Sequence, residues 1–317
     1  MNSIWLQNNQ ISLREVPIPT PPLGEALVRV RLAGICATDL ELVKGYYPYN
    51  GILGHEFVGE IVDAPDAPPR VGQRVVGEIN AVCGKCATCK RGNPTHCENR
   101  TVLGIANRNG AFAEYTTLPL ENLIPVPDAV PDEMAVFTEP LAAALEIQEQ
   151  VLIKPTDRVL LVGAGRLGQL IAYTLKLTGC DLRVVTRHAS QRNLLEGKGV
   201  ACIHPEELPV RKMDLVVEAT GSPAGFELAR KAVRPRGTVV LKSTYAGRLT
   251  LDVSAVVVDE ITLIGSRCGP FAPALRLMEQ GLVDPRLLIN AHYPLSEGIA
   301  AFACAEQGGV FKVLLRP

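Results

Sequence analysis

DRVLLVGAGRLGQLIAYTLKLTG, residues 157–179, reads as a strand, a glycine turn and a helix in immediate succession. Within it GAGRLG sets Gly163, Gly165 and Gly168 in the G-x-G-x-x-G spacing, with Arg166 and Leu167 between the last two. The motif is weak alone. Between a strand and a helix it gains force, because glycines let the backbone approach a pyrophosphate at the helix N-terminus. A tight turn that merely packs helix on strand is the other reading. Downstream, DLRVVTR, ACIHP, MDLVVEATG, GTVVLKS and ITLIGS read as strands and PAGFELARKAV as a helix. Apolar strands alternating with helices predict a doubly wound parallel sheet covered on both faces.

Choice of dinucleotide depends on the tip of the second strand. A carboxylate there binds ribose hydroxyls, whereas an arginine accepts a 2′-phosphate. The segment LRVVTRHASQR offers Thr186, Arg187, His188, Ser190 and Arg192, while its acid, Asp181, lies just ahead of it at the strand's beginning. A guanidinium pairs bidentately with phosphate, so the segment predicts NADP(H) in preference to NAD(H). A solvated basic turn is the alternative.

The first 125 residues differ in character. EALVRVRLAGI, HEFVGEIVDA, QRVVGEIN and AFAEYTTLP alternate as strands punctuated by Pro and Gly, which suggests a β-rich domain closing on itself. A helical stretch, residues 132–150, follows, and Pro140 is expected to break or kink it. From about Arg267 the chain returns to mixed helices and ends on a strand, VFKVLLRP. The expected division is residues 1–140 with 267–317 as one domain, and residues 141–266 as a dinucleotide domain inserted between them.

At 317 residues, 47% hydrophobic and 21% charged, the chain has the make-up of a soluble two-domain enzyme. A net charge of −1, with no basic stripe, gives no electrostatic footprint for nucleic acid. No apolar run approaches a membrane span, and the first residues lack the basic and apolar regions of a signal peptide. The expectation is therefore a cytoplasmic protein, in which clustered cysteines serve as metal ligands rather than disulfides.

Four of the nine cysteines fall in CGKCATCKRGNPTHC: Cys83, Cys86, Cys89 and Cys97. Four thiolates at this spacing can close a tetrahedral shell around zinc with no open position, the mark of a structural site. An iron–sulfur cluster also uses dense cysteines. A second, dispersed group comprises Cys36, Thr38 and Asp39 in GICATDLEL, His55 and Glu56 in GILGHEFVGE, and Glu139 in FTEPLAAALEI. A catalytic zinc needs three protein ligands and one open position. Each of these residues alone also has a plain structural reading.

Together GICATD, GHEFVGE, the four-cysteine segment, EPLAAAL, GAGRLG, EATGS and the terminal FKVLL, in this order over essentially the whole length, resemble the zinc-containing medium-chain dehydrogenases/reductases, the alcohol and polyol dehydrogenase superfamily. The resemblance implies a GroES-like β-barrel catalytic domain formed by both chain ends, with a Rossmann domain inserted. It implies two zinc ions per chain. Cys36 and His55 would bind the catalytic ion together with Glu139, with Glu56 able to enter the shell, and the four cysteines would bind the structural one. Thr38 would relay the alcohol proton and Asp39 would orient the histidine. Lys312 matches a basic residue that reaches the cofactor pyrophosphate, and Thr220 and Gly221 match strand-end residues beside the cofactor.

The resemblance further implies hydride transfer between a nicotinamide and a small alcohol or carbonyl substrate. It also implies a homodimer or homotetramer paired through ITLIGS. Ala37 and Glu41 depart from the family pattern, replacing an arginine and a relay histidine, and the loops after Tyr47 and Arg100 are trimmed. Lys242 falls near the expected nicotinamide, where it could meet substrate or cofactor, or simply face solvent. An amino-alcohol or bulky cyclic-alcohol dehydrogenase is a second reading, and a non-catalytic zinc and dinucleotide binder a third. Retention of Cys36, Thr38, His55 and Glu139 speaks against that third reading and against a zinc-free quinone reductase.

Overall fold

The computed structural model describes residues 1–244 and 249–317. Two compact units emerge: Met1–Glu139 with Phe271–Pro317, and Pro140–Pro270. Tyr245, at the end of the VVLKSTY stretch, lies outside the described residues.

In the first unit the strand Glu25–Ile35 is the spine of a seven-stranded sheet. Its N-terminal half pairs with Tyr115–Pro119. It runs antiparallel to Glu56–Asp63 on one side, and its last residues run antiparallel to Lys312–Arg316 on the other. The sheet continues through Arg74–Gly77 to Leu123–Pro125, and beyond the C-terminal strand to Ile289–Pro294. Both ends of the chain thus contribute to one sheet. Ala26, Val28, Val30 and Leu32 are buried while Arg29 and Arg31 are exposed, the alternation of a half-buried strand. Alternation stops at Leu32, and Ala33, Gly34 and Ile35 are buried on both faces. That stretch delivers the chain to Cys36.

The second unit is a six-stranded parallel sheet. Its strands stand in the order Ala201–Ile203, Asp181–Val185, Arg158–Val162, Met213–Glu218, Val233–Leu241 and Thr262–Gly265. Numbered along the chain this is 3-2-1-4-5-6, the doubly wound order whose switch point falls beside the first strand. Leu160, Val162, Val185, Val216 and Val239 from the strands pack with Ala229 and Ala232 from the helix Pro223–Ala232.

The helical stretch expected over residues 132–150 is two helices, Asp132–Ala135 and Thr138–Gln150. The break falls at Val136–Phe137, ahead of Pro140 rather than at it. Pro140 occupies the first turn of the second helix, where its missing N–H has no intrahelical acceptor to lose. A short helix, Val253–Val258, was not anticipated; the Asp252 side chain caps it by accepting from the amide of Ala255. No helix among the described residues is long and apolar enough to cross a membrane.

Candidate functional site

The cysteine segment folds around its own sulfurs. Sγ–Sγ distances are 3.5 Å for Cys86–Cys89, 3.9 Å for Cys86–Cys97 and 3.5 Å for Cys97–Cys83, and all four sulfurs lie within 4.8 Å of one another. Backbone amides of Cys83 and Asn99 donate to Cys97 Sγ, and that of Cys89 to Cys86 Sγ. The amides of Lys85 and Cys86 pull the Cys83 thiol down to about 6. Desolvation, then its neighbours Cys86 and Cys97, push Cys89 up to about 12. Four thiols this close cannot all ionise unless a cation sits among them. The donor set therefore fits a tetrahedral thiolate metal ion.

The end of the spine strand builds a second cluster. Cys36 Sγ, a His55 ring nitrogen and a Glu56 carboxylate oxygen lie within 4.8 Å of one another. Sheet register explains the approach: Gly34 faces Glu56 across the antiparallel pair, so His55 and Glu56 arrive beside the residue that follows Ile35. Asp39, wholly buried in the first turn of the helix Ala37–Val43, ties the group together. Its Oδ2 accepts from the backbone N–H of Cys36 at 2.8 Å, and its Oδ1 stands 3.3 Å from His55 Nδ1. That second contact is close without being a well-aligned hydrogen bond, since neither atom has a hydrogen-bond partner. Nδ1 turned to the carboxylate leaves Nε2 as the ring's other donor, the arrangement that supports a metal-bound imidazole.

Burial pushes the His55 pKa down. The Asp39 carboxylate close to the ring, together with Cys36, outweighs that and raises it well above the ordinary imidazole value. A bound metal ion would displace this proton. Glu56 Oε1 is also buried without a partner. Orphaned buried donors and acceptors around a thiol fit a metal ion. Thr38 Oγ1 lies 3.8 Å from Cys36 Sγ. Glu139 is half-buried at the second residue of the helix Thr138–Gln150.

In the second unit the three glycines of GAGRLG differ physically. Gly163 has φ +107°, and a Cβ on it would stand 2.8 Å from Thr220 Cγ2. Gly165 precedes the helix Arg166–Lys176 and has open space where a Cβ would stand. At Gly168 a Cβ would meet the Gly163 carbonyl oxygen at 2.1 Å, so helix and strand pack too closely for any side chain. Turn, open approach and close packing are the three roles such glycines play at a pyrophosphate. Leu167 lies in the helix's first turn. At the tip of Asp181–Val185, Arg187 is exposed, Thr186 Oγ1 is buried without a partner, and so is Arg192 Nη2.

Two lysines that the sequence reading places near the cofactor are both buried. Lys312, expected at a pyrophosphate, is 4% exposed and turns its Nζ onto Glu56 Oε2. Lys242 is not at the surface: its Nζ donates to the Arg267 carbonyl at 2.6 Å and to Ser266 Oγ at 3.1 Å. Two supporting residues escaped the sequence reading. Glu218 Oε1 accepts from both the amide and the hydroxyl of Thr220, at 2.7 and 2.5 Å, holding the strand end that faces Gly163. Gln169 Nε2 donates to the carbonyls of Ala164 and Gln191, linking the glycine turn to the segment that carries Arg187 and Arg192. Glu218 could have been suspected, since a fully buried acid directly after Leu215, Val216 and Val217 needs a reason.

Residues 22–128 match the alcohol dehydrogenase GroES-like domain family. The chain is 34% identical over 280 residues to L-threonine 3-dehydrogenase of Pyrococcus horikoshii, an overlap of 80% of this chain and 78% of that protein. Its fold superposes with TM-score 0.92 on a protein described as a zinc-binding dehydrogenase of Sinorhizobium meliloti 1021 bound to NADP, at 28% identity over 100% of this chain and 99% of the other. It superposes equally, at 0.92 and 29% identity over 100% and 99%, on an alcohol dehydrogenase of Escherichia coli CFT073 complexed with NADH.

Proposed function

Because this chain belongs to the zinc-containing medium-chain alcohol and polyol dehydrogenases, we propose that it is an NADP(H)-preferring enzyme interconverting an alcohol or polyol and its carbonyl at a zinc held by Cys36, His55 and Glu139. Oxidoreductase activity follows from the family; the cofactor preference, the ligand set and the substrate are this reading's own. The observation that carries the metal site is the cluster of Cys36, His55 and Glu56 with its unpartnered buried polar atoms; Glu139, which is not in that cluster, enters as third ligand from the family resemblance alone. The four-cysteine lobe holds the second zinc ion.

Bound there, zinc supplies Lewis acidity toward the substrate oxygen, and the nicotinamide takes up or gives the hydride. Asp39, 3.3 Å from His55 Nδ1, would hold the ring so that its Nε2 is left for the ion. Thr38, next to Cys36 Sγ, accepts the substrate hydroxyl proton and passes its own outward. Glu41 replaces a histidine at the outer end of this path and pairs with Lys44 at 3.3 Å. Gly163, Gly165 and Gly168, with Arg166, Leu167 and Thr220, cradle the pyrophosphate side of the cofactor.

For NADP(H) the support is local. Residues 186–192 contain two arginines and no carboxylate, and the nearby acid, Asp181, is engaged by Arg183 at 3.4 Å. Arg187 accordingly takes the 2′-phosphate, with Thr186 and Arg192 completing the contact. A charge-assisted hydrogen bond is worth about 1.5–3 kcal/mol, so Arg187→Asp is expected to lower kcat/KM for NADP⁺ by about 10- to 150-fold and to change that for NAD⁺ much less. Equal effects on both cofactors would sink the assignment.

The test of the reading as a whole is steady-state oxidation of a panel of primary, secondary and cyclic alcohols, polyols and L-threonine with each cofactor. L-Threonine belongs in the panel because the amino-alcohol reading has one observation in its favour, the 34% identity to a threonine dehydrogenase. No turnover of any panel member by zinc-replete protein would favour the non-catalytic binder. The strand Thr262–Gly265, outermost in its sheet with Leu263 and Ile264 half-exposed, is the proposed pairing edge of a homodimer or homotetramer. A monomer by light scattering at micromolar concentration would rule that out.

A further inference from the structure

Lys312 and Glu56 are 256 residues apart and form an ion pair that is buried on both sides, with side-chain exposures of 5% and 0%. The fold makes room for it deliberately. On the spine strand, Gly34 faces Glu56 across one edge, while Ile35 faces Val313, the residue after Lys312, across the other. A Cβ on Gly34 would stand 2.7 Å from Glu56 Oε2 and 3.3 Å from Lys312 Cδ. The two long side chains therefore meet over the one position that carries none. Lys312 Nζ also lies 5.3 Å from the centroid of the buried Phe137 ring, a cation–π contact beside the ion pair.

A buried charge persists only where it is paired. Glu56 offers two oxygens to two different partners. Oε2 is taken by Lys312, whereas Oε1 is buried with no hydrogen-bond partner, in a residue whose carboxylate shares the cluster with Cys36 and His55. Remove the ammonium, and the cation within reach of this carboxylate is the metal ion itself. A catalytic zinc must keep one coordination position for substrate, and a carboxylate bound permanently there would close it.

We propose that Lys312 is a positioning residue that tethers Glu56 beside the metal ion and so keeps it from becoming a permanent ligand. The proposal rests on the reading that Cys36 and His55 hold zinc. It assigns Lys312 to the metal centre instead of the cofactor pyrophosphate, and it leaves Glu139 as the carboxylate ligand.

The test compares Lys312→Met, Lys312→Arg and the double variant Lys312→Met/Glu56→Gln with the wild-type holoenzyme. Release of the labile zinc to a chromogenic chelator is followed together with kcat and the KM for NADP⁺, and the cobalt(II)-substituted proteins are compared by their d–d absorption. Lys312→Met is expected to release the ion at least tenfold more slowly and to lose at least tenfold in kcat. Its cobalt spectrum should shift, and its KM for NADP⁺ should stay within twofold. Lys312→Arg should remain close to wild type. The double variant replaces the ion pair by a neutral pair of similar shape, so it should restore the release rate. It also serves as the readout if Lys312→Met does not fold.

An unchanged release rate in Lys312→Met, or in the double variant a KM for NADP⁺ raised tenfold or more with zinc release as in wild type, would overturn the proposal and return Lys312 to the pyrophosphate. A wild-type chain with no labile zinc to release would overturn the underlying ligand reading as well, which separates the two failures.

Discussion

Cys36→Ala is expected to lower kcat/KM by about 10³-fold or more, the loss of roughly 4 kcal/mol of transition-state stabilisation. The fold survives, because the thiol is only half-buried and its replacement leaves no large cavity. The backbone amide of residue 36 still donates to Asp39 Oδ2, so the helix Ala37–Val43 keeps its N-terminal anchor. Steady-state kinetics, far-UV circular dichroism and zinc content together check this. Activity should vanish, the spectrum should be retained, and one zinc should remain of two. Turnover within tenfold of wild type would remove the metal from the mechanism.

Cys97→Ala has the largest structural consequence. Among residues 83–97, Cys97 is the one buried side chain, at 1% exposure, and the others are half-buried or exposed. A segment without an apolar core of its own depends on its ligands, and a structural zinc ion is worth on the order of 10 kcal/mol to such a fold. Losing the buried thiolate opens the shell and removes the acceptor for the amides of Cys83 and Asn99. The segment carries exposed Lys85, Lys90 and Arg91, so limited trypsin digestion reads the outcome. Cleavage between residues 85 and 91 should accelerate at least tenfold in Cys97→Ala, with the rest of the chain resistant at first. Wild-type resistance in the variant would show that the lobe holds itself without metal.

Much of this was legible in the residues because its causes are local. GAGRLG between a strand and a helix carries its own mechanism, and the three glycines adopt a turn, an open approach and a close contact. The C-x2-C-x2-C-x7-C spacing sets its ligands within one loop, so four sulfurs converge without help from distant chain. Apolar strands alternating with helices gave the parallel sheet in its doubly wound order. Local signals misled where two of them competed. Pro140 suggested a break at itself, yet proline fits a first helical turn and the chain broke two residues before that helix begins. In Val253–Val258 a run of β-branched residues masked the helix that Asp252 caps.

The Glu56–Lys312 pair was not legible at all. It depends on the register of three strands drawn from the two ends of the chain, and a one-residue slip would turn either side chain to the opposite face. From the sequence Lys312 was a basic residue near a terminus, available to a phosphate. In the structure the bare Cα of Gly34 lets it turn inward. Glu218 and Gln169 escaped notice for a related reason, since each acts by holding a backbone segment whose neighbour is known only after folding.

The most direct test is the number of zinc ions per chain, measured by mass spectrometry of the elements on protein purified without chelator or added metal. Two ions in the wild type, falling to one in Cys36→Ala with the four-cysteine lobe intact, are the predicted result. One ion in both proteins, with no second ion taken up on adding zinc, would contradict the account of Cys36, His55 and their carboxylates as a catalytic metal centre.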